Sequence, residues 1–165
     1  MIPLLRRTFQ GMASFPPTRL MMRHLIRVIA PRNYVGAIGV VVNDRGQILI
    51  AQHAYRTDYP WGLPGGWVSK NEDPAHAVER EIEEELGLRV AVQHLLLCDT
   101  VPSVQRSTAP PHIGLAYLCR IVEGVVGSSH EIVSTEWIDP THVGHEMAPF
   151  QLRAIEAARL SAAAG

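Results

Sequence analysis

Three glutamates, Glu81, Glu84 and Glu85, stand at i, i+3 and i+4 in the run EREIEEEL. On an α-helix that spacing brings their carboxylates to one face within a single turn. Like charges so close repel, so the arrangement costs stability unless a cation fills it. Clustered hard oxygens suit Mg2+ or Mn2+, which take few carboxylates together with waters and phosphate oxygens. The bland alternative is a solvated acidic helix face, a common feature. Such faces mix signs for i, i+4 support, however, and the local basic residues here are only Arg80 and Arg89. The acidic run is also framed by glycines, a Gly65-Gly66 turn before it and Gly87 after it.

A helix over about 73–86 must position these acids, begun by Asp73 as cap with Pro74 in the first turn and closed by Gly87. Its other face carries Ala77, Val78 and Ile82, which can bury against a sheet. Upstream, YVGAIGVVV, a turn at Asn43–Gly46 and QILIAQH read as a hairpin with Gly46 at the position that tolerates positive φ, followed by the Pro- and Gly-rich loop YPWGLPGG. Downstream, strands are expected at RVAVQHLLLC, HIGLAYLCRIV and EIVSTEWI, and a closing helix at PFQLRAIEAARL. Strands and helices interleaved in this way predict an α/β domain, its mixed sheet covered on both faces.

The segment from Gly66 to Leu88 resembles the full signature of the Nudix hydrolases, GX5EX7REUXEEXGU with U aliphatic. Gly66, Glu72, Arg80, Glu81, Ile82, Glu84, Glu85, Gly87 and Leu88 match every specified position. The hairpin, Leu63-Pro64-Gly65-Gly66 and the Glu136-Trp137 strand are also similar to family members. The resemblance implies a Nudix-type α/β/α sandwich and a Mg2+-dependent hydrolase, Mn2+ substituting, that cleaves the diphosphate of a nucleoside diphosphate linked to another group X. It makes Glu81, Glu84 and Glu85 cation ligands, with the Gly66 carbonyl as an extra one. Arg80 would orient the carboxylates through Glu72 or Glu81, with Glu72, Gly65 and Gly87 as support.

The general base is left between a signature glutamate and an acid outside it. Glu131, six residues before Trp137, is the expected extra ligand or base, with Glu136 its rival. For the substrate, Arg56 is a candidate phosphate contact, and Tyr55, Trp61 and Trp137 are candidates to stack on a base. Pro102, about 15 residues past the signature, resembles a proline of relatives acting on ADP-ribose, which points towards ADP-sugars. Two other classes remain open: a catalytically silent nucleotide-sensing or protein-binding module, and an isopentenyl diphosphate isomerase, for whose cysteine neither Cys98 nor Cys119 offers a matching motif.

The whole chain, 165 residues, suits one domain (34–165) behind a basic extension (1–33). A net charge of -1 singles out neither nucleic acid nor an acidic membrane as partner. Cys98 and Cys119 sit in apolar runs without a CxxC-like spacing, so both are expected as buried thiols in a reducing, cytoplasmic setting. No apolar stretch approaches the roughly 20 residues that cross a bilayer, and MIPLLRRTF lacks the apolar core of a secretory signal. The extension holds six arginines (Arg6, Arg7, Arg19, Arg23, Arg27, Arg32) and no acid. Thr18 is the expected cap of a helix reaching Ala30 and stopped by Pro31, with Arg19, Arg23 and Arg27 on one face and Leu20, Met21, Leu25, Val28 and Ile29 opposite. Packing on the domain or on a homodimer partner, lying on a membrane surface, or serving as an address or start-site artefact all fit this pattern.

Overall fold

The computed structural model describes residues 16–30, 32–103, 109–127 and 129–163. The chain divides into two compact units, Met1–Arg32 and Asn33–Gly165. The first contains α1 (Pro16–Ile29), which starts two residues before Thr18, so Thr18 lies inside the helix and is not its cap. Pro16 and Pro17 open it because a fixed φ near -65° suits a first turn whose N–H groups have no intrahelical acceptor. Leu20, Met21, Leu25, Val28 and Ile29 are all exposed. Arg6, Arg7 and Pro31, and the side chains of Arg19 and Arg27, lie outside the described residues.

The second unit is built on a seven-stranded mixed sheet. β1 (Tyr34–Val42), β2 (Ile48–His53), β3 (Trp61–Gly62) and β4 (Gly65–Trp67) precede α2 (Pro74–Leu86), and β5 (Arg89–Val101), β6 (His112–Glu123), β7 (Ile132–Ile138) and α3 (Pro149–Ala163) follow. The backbone order is β3-β2-β1-β6-β5, with β4 also paired to β1 and β7 to β2. β1 and β6 run parallel over nine residue pairs, and the other pairings are antiparallel. The expected hairpin closes at Val42 and Ile48 and then splits: β1 turns to β4 and β6, β2 to β7 and β3. That split opens the sheet where the Pro- and Gly-rich loop enters.

Alternation along the strands sends side chains to two cores. Ala37, Val41, Leu49 and Ala51 meet Val78, Ile82 and Leu86 of α2. Val40, Ile48, Ile50 and Leu63 meet Phe150, Ala154, Ile155 and Ala158 of α3 on the other face. The result is a three-layer α/β/α arrangement. α2 sits close to β1 because a Cβ at Gly39 would come within 2.6 Å of the Ile82 Cδ1. Its ends are those anticipated: the Asp73 side chain accepts from the Ala75 N–H, and Gly87 takes a left-handed φ of 67°. Ile82 has no exposed surface; its truncation to Ala should lower the free energy of unfolding in urea by about 2–5 kcal/mol.

Of the two thiols only Cys119 is buried; Cys98 is exposed. Both lie in apolar runs, but β5 is an irregular strand with register shifts at Arg89/Val90, Val92/His94 and Leu95/Leu97, so which residues face the core cannot be read from simple alternation. No described helix is long and apolar enough to cross a membrane.

Candidate active site

α2 lays its acidic face against β4, and the three signature glutamates end in three environments. Glu85 is buried, its Oε2 accepting a hydrogen bond from the Gly65 N–H at 3.1 Å. Burial pushes its carboxyl up to about 7, an effect that the Gly65 hydrogen bond and Arg56 oppose and that Glu81 and Glu131 reinforce. Glu81 is half-buried and rests on the backbone at Gly66, where an added Cβ would lie 2.5 Å from the Glu81 Cδ. Glu84 is turned outward, its side chain 61% exposed.

Arg80 ties them together. Its Nε and Nη2 donate to the two Glu72 oxygens at 2.8 and 3.1 Å, its Nη1 to Glu81 at 2.8 Å and Glu84 at 3.2 Å, and its Nη2 to the Trp67 carbonyl at 3.4 Å. Glu72 in turn accepts from the Ser69 N–H and is held down to about 2, chiefly by Arg80. For a carboxylate depressed from 4.5 the stabilising contribution is complete above that value and is lost as pH falls through about 2. A planar fork serving this many acceptors has no equivalent in an ammonium group. Arg80→Lys should therefore lower kcat/KM by about 10²-fold, corresponding to loss of about 3 kcal/mol of charge-assisted hydrogen bonding, while the circular dichroism spectrum stays that of the parent.

A cavity of about 650 Å3 opens beside these groups, lined by Glu81, Glu85 and Gly66 and, from other elements, by Glu131, Arg56 and Tyr55. The donors are carboxylate and carbonyl oxygens, the set a hard divalent cation prefers. Among the described residues no three His, Cys, Asp or Glu side chains close into a cage. Mg2+ does not demand one, since it keeps several waters and takes one or two carboxylates with substrate phosphates; Glu81 and Glu85 supply that number.

Comparison with known proteins agrees with this architecture. The NUDIX domain family model matches residues 32–158. The chain belongs to the Nudix hydrolase family. It is thereby an enzyme of the group that hydrolyses phosphorus-containing anhydrides, generally with divalent metal ions. It is similar to a MutT-like protein of Streptomyces ambofaciens, 32% identical over 77% of this chain and 78% of that protein. It is also similar to a CMP-5'-(N-acetyl-N-hydroxy-3-aminopropyl)phosphonate hydrolase of Streptomyces rubellomurinus, 37% identical over 62% of this chain but only 50% of that protein. Among solved structures, the MutT NUDIX hydrolase of Burkholderia pseudomallei superposes with a TM-score of 0.64 at 26% identity, covering 77% of this chain and 98% of that one.

In this Nudix domain the residues singled out from sequence are distributed unevenly. Tyr55, Arg56, Pro102 and Glu131 all line the cavity with the signature residues. Arg56 lies 6.0 Å from the Tyr55 ring centre, and a Cβ at Gly62 would come 2.6 Å from its Nη1. Trp61, expected to stack on substrate, lies outside that lining: its ring stacks on His145 at 4.2 Å and packs against the α3-side core. Trp137 is likewise packed, against the α2-side core. Glu136, the rival of Glu131, is 2.7 Å from the His145 ring and outside the lining too.

Sequence reasoning missed His53, Trp67, His112 and Phe150. His53 ends β2 fully enclosed, its Nδ1 3.7 Å from Glu85 and both ring nitrogens without a hydrogen-bond partner among the described residues. Burial, aided by Arg56, pushes His53 down to about 3, so it is neutral at pH 7 and the contact with Glu85 is not an ion pair. A histidine closing the apolar strand ILIAQH was the available signal. Trp67, His112 and Phe150 line the cavity from three different elements, and no local pattern joins them.

Proposed function

We propose that this Nudix enzyme is a Mg2+-dependent hydrolase, Mn2+ substituting, that cleaves the diphosphate linkage of a nucleoside diphosphate joined to a further group X. The observation that carries this reading is a cavity in which acidic oxygens of α2 and the backbone of β4 meet Arg56 and an apolar patch, a combination suited to a substrate with a metal-binding diphosphate and an uncharged body.

Glu81, Glu85 and the Gly66 carbonyl would hold the cation, with Glu84 drawn in from the surface and Glu131 as a further ligand or the base. A bound divalent cation would neutralise the diphosphate, activate the attacking water and stabilise the departing phosphate. Arg80 fixes Glu81 and Glu72 in place. Arg56 presents a guanidinium to phosphate oxygens, a bidentate geometry it favours. Water attack on phosphorus breaks one P–O bond of the anhydride and leaves two phosphate-terminated products.

ADP-sugars such as ADP-ribose are the leading substrates, supported by Pro102 in the cavity lining. The similarity to a hydrolase of a CMP-linked phosphonate supports a nucleotide joined to a non-nucleotide group. The test is a panel of ADP-ribose, dinucleoside polyphosphates, NADH, nucleoside and deoxynucleoside triphosphates and capped RNA, each with Mg2+ and with Mn2+. Turnover of ADP-ribose above the others is the expected result. Turnover of none would transfer the assignment to a nucleotide-sensing module.

A further inference from the structure

The cavity lining contains two groups of residues of different chemistry. One is charged and polar: Gly65, Glu81 and Glu85 with Tyr55, Arg56 and Glu131. The other is built on two glycines, Gly36 of β1 and Gly114 of β6, which lie side by side in register on parallel strands. Rings and apolar groups occupy the room those glycines leave. A Cβ at Gly36 would stand 3.2 Å from the His112 Cδ2, and one at Gly114 would stand 2.7 Å from both the Phe150 Cζ and the Val101 Cγ2.

Trp67 belongs to this second group. It pairs with Gly36 across the β1–β4 ladder and follows Gly66 directly. Trp67 is 43% exposed and lines the cavity, so a face of it is open to a ligand. Its orientation is fixed from two sides: His112 meets it edge-on at 4.9 Å and 74°, and Tyr34 tilts against it at 5.8 Å. The His112 Nδ1 is 2.9 Å from the Pro110 carbonyl, which holds the imidazole in turn. The neighbouring Arg80 is committed to Glu72, Glu81, Glu84 and the Trp67 carbonyl. An aromatic wall held in this way beside a phosphate-handling centre suits a planar ring.

We propose that Trp67, held by His112 and Tyr34 beside the Gly36–Gly114 pair, is the stacking face for the nucleobase of the substrate. This deepens the hydrolase reading and rests on it for the substrate class. It differs from the assignment of base stacking to Tyr55, which stands with Arg56 and the acids.

The experiment is calorimetric binding of AMP, GMP, CMP and UMP against ribose 5-phosphate, which has the sugar and phosphate without a base, to the full chain in Mg2+. Stacking on an aromatic ring predicts that at least one nucleotide binds about tenfold or more tightly than ribose 5-phosphate. Trp67→Phe should keep most of that preference. Trp67→Ala should bring the nucleotide to within about twofold of ribose 5-phosphate, whose own affinity is unchanged. In parallel, the preferred nucleotide should quench indole emission in the parent and not in Trp67→Phe, a readout that does not depend on the alanine variant folding. Retention of the base preference in Trp67→Ala, or no preference in the parent, overturns the assignment. Hydrolysis of ADP-ribose without a Trp67-dependent preference removes the base site and leaves the hydrolase. A Trp67-dependent preference with no hydrolysis of any panel member removes the hydrolase and leaves the site.

Discussion

Glu85→Gln should lower kcat/KM by about 10³-fold or more, the equivalent of the several kcal/mol a catalytic cation supplies, and should do so without lowering Tm. The two halves of this expectation have separate causes. Burial penalises the charged form of Glu85 and raises its carboxyl to about 7, so a neutral amide of the same shape suits the folded site at least as well. The amide oxygen can still accept from the Gly65 N–H. What the amide lacks is the negative charge that a hard cation requires. Glu84→Gln should also reduce turnover by orders of magnitude, because its exposed pairing with Arg80 costs little to break when a cation calls for its charge. Steady-state kinetics with Mg2+ and thermal unfolding of the same preparations check both points. Near-parental turnover in Glu85→Gln would sink the metal assignment.

The neighbouring glycines should separate folding from activity. Gly65 has φ +138°, and a Cβ there would lie 2.3 Å from the Ala37 carbonyl oxygen and 2.7 Å from the Ile38 Cα, both backbone atoms of β1. Neither can move without opening the β1–β4 ladder, in which Gly65 pairs with Ile38. Gly65→Ala should therefore destabilise the domain by about 3 kcal/mol or more, from strain and overpacking together. At Gly66 the three atoms nearest an added Cβ are all of the Glu81 carboxyl group, at 2.5 to 2.6 Å. A side-chain end can swing away, so Gly66→Ala should keep the fold and displace Glu81 from its position. A misplacement of about 1 Å at a catalytic group costs about 10²-fold in rate. Urea unfolding and kcat/KM for the pair of variants test this. Equal stability losses would show that both glycines serve only the ladder.

Much of the α2 region was legible in advance for a local reason. A helix cap, a first-turn proline, a left-handed glycine and the spacing of Glu81, Glu84 and Glu85 are encoded within one run of residues, and helical periodicity turns them directly into geometry. What that periodicity did not reveal is that the three acids differ. They share a helical face, yet Glu85 falls at its edge, where β4 and His53 close over it, while Glu84 faces water. Burial depends on what lies opposite, and the opposing residues are remote in sequence.

The same reason explains the aromatic residues. Trp61, beside a Pro-Gly turn, is by sequence either a candidate to stack on a base or a core residue, and in the fold it stacks on His145, 84 residues later in the chain. Trp67 drew no expectation because its neighbours in the run GGWVSK are unremarkable as a stacking motif; its role in the wall depends on Gly36 in β1 and His112 in β6. By itself, then, the sequence determined the run from Gly66 to Leu88 with its helix of acids, the caps of that helix and the family, because each is written in short-range spacing, whereas β3 and β4 lie in what reads as a loop. Only the tertiary structure decided which carboxylate is buried, which tryptophan reaches the cavity and which residues lie beside the Gly36–Gly114 pair, because these depend on how the β1–β2 hairpin splits and on which strands then become neighbours.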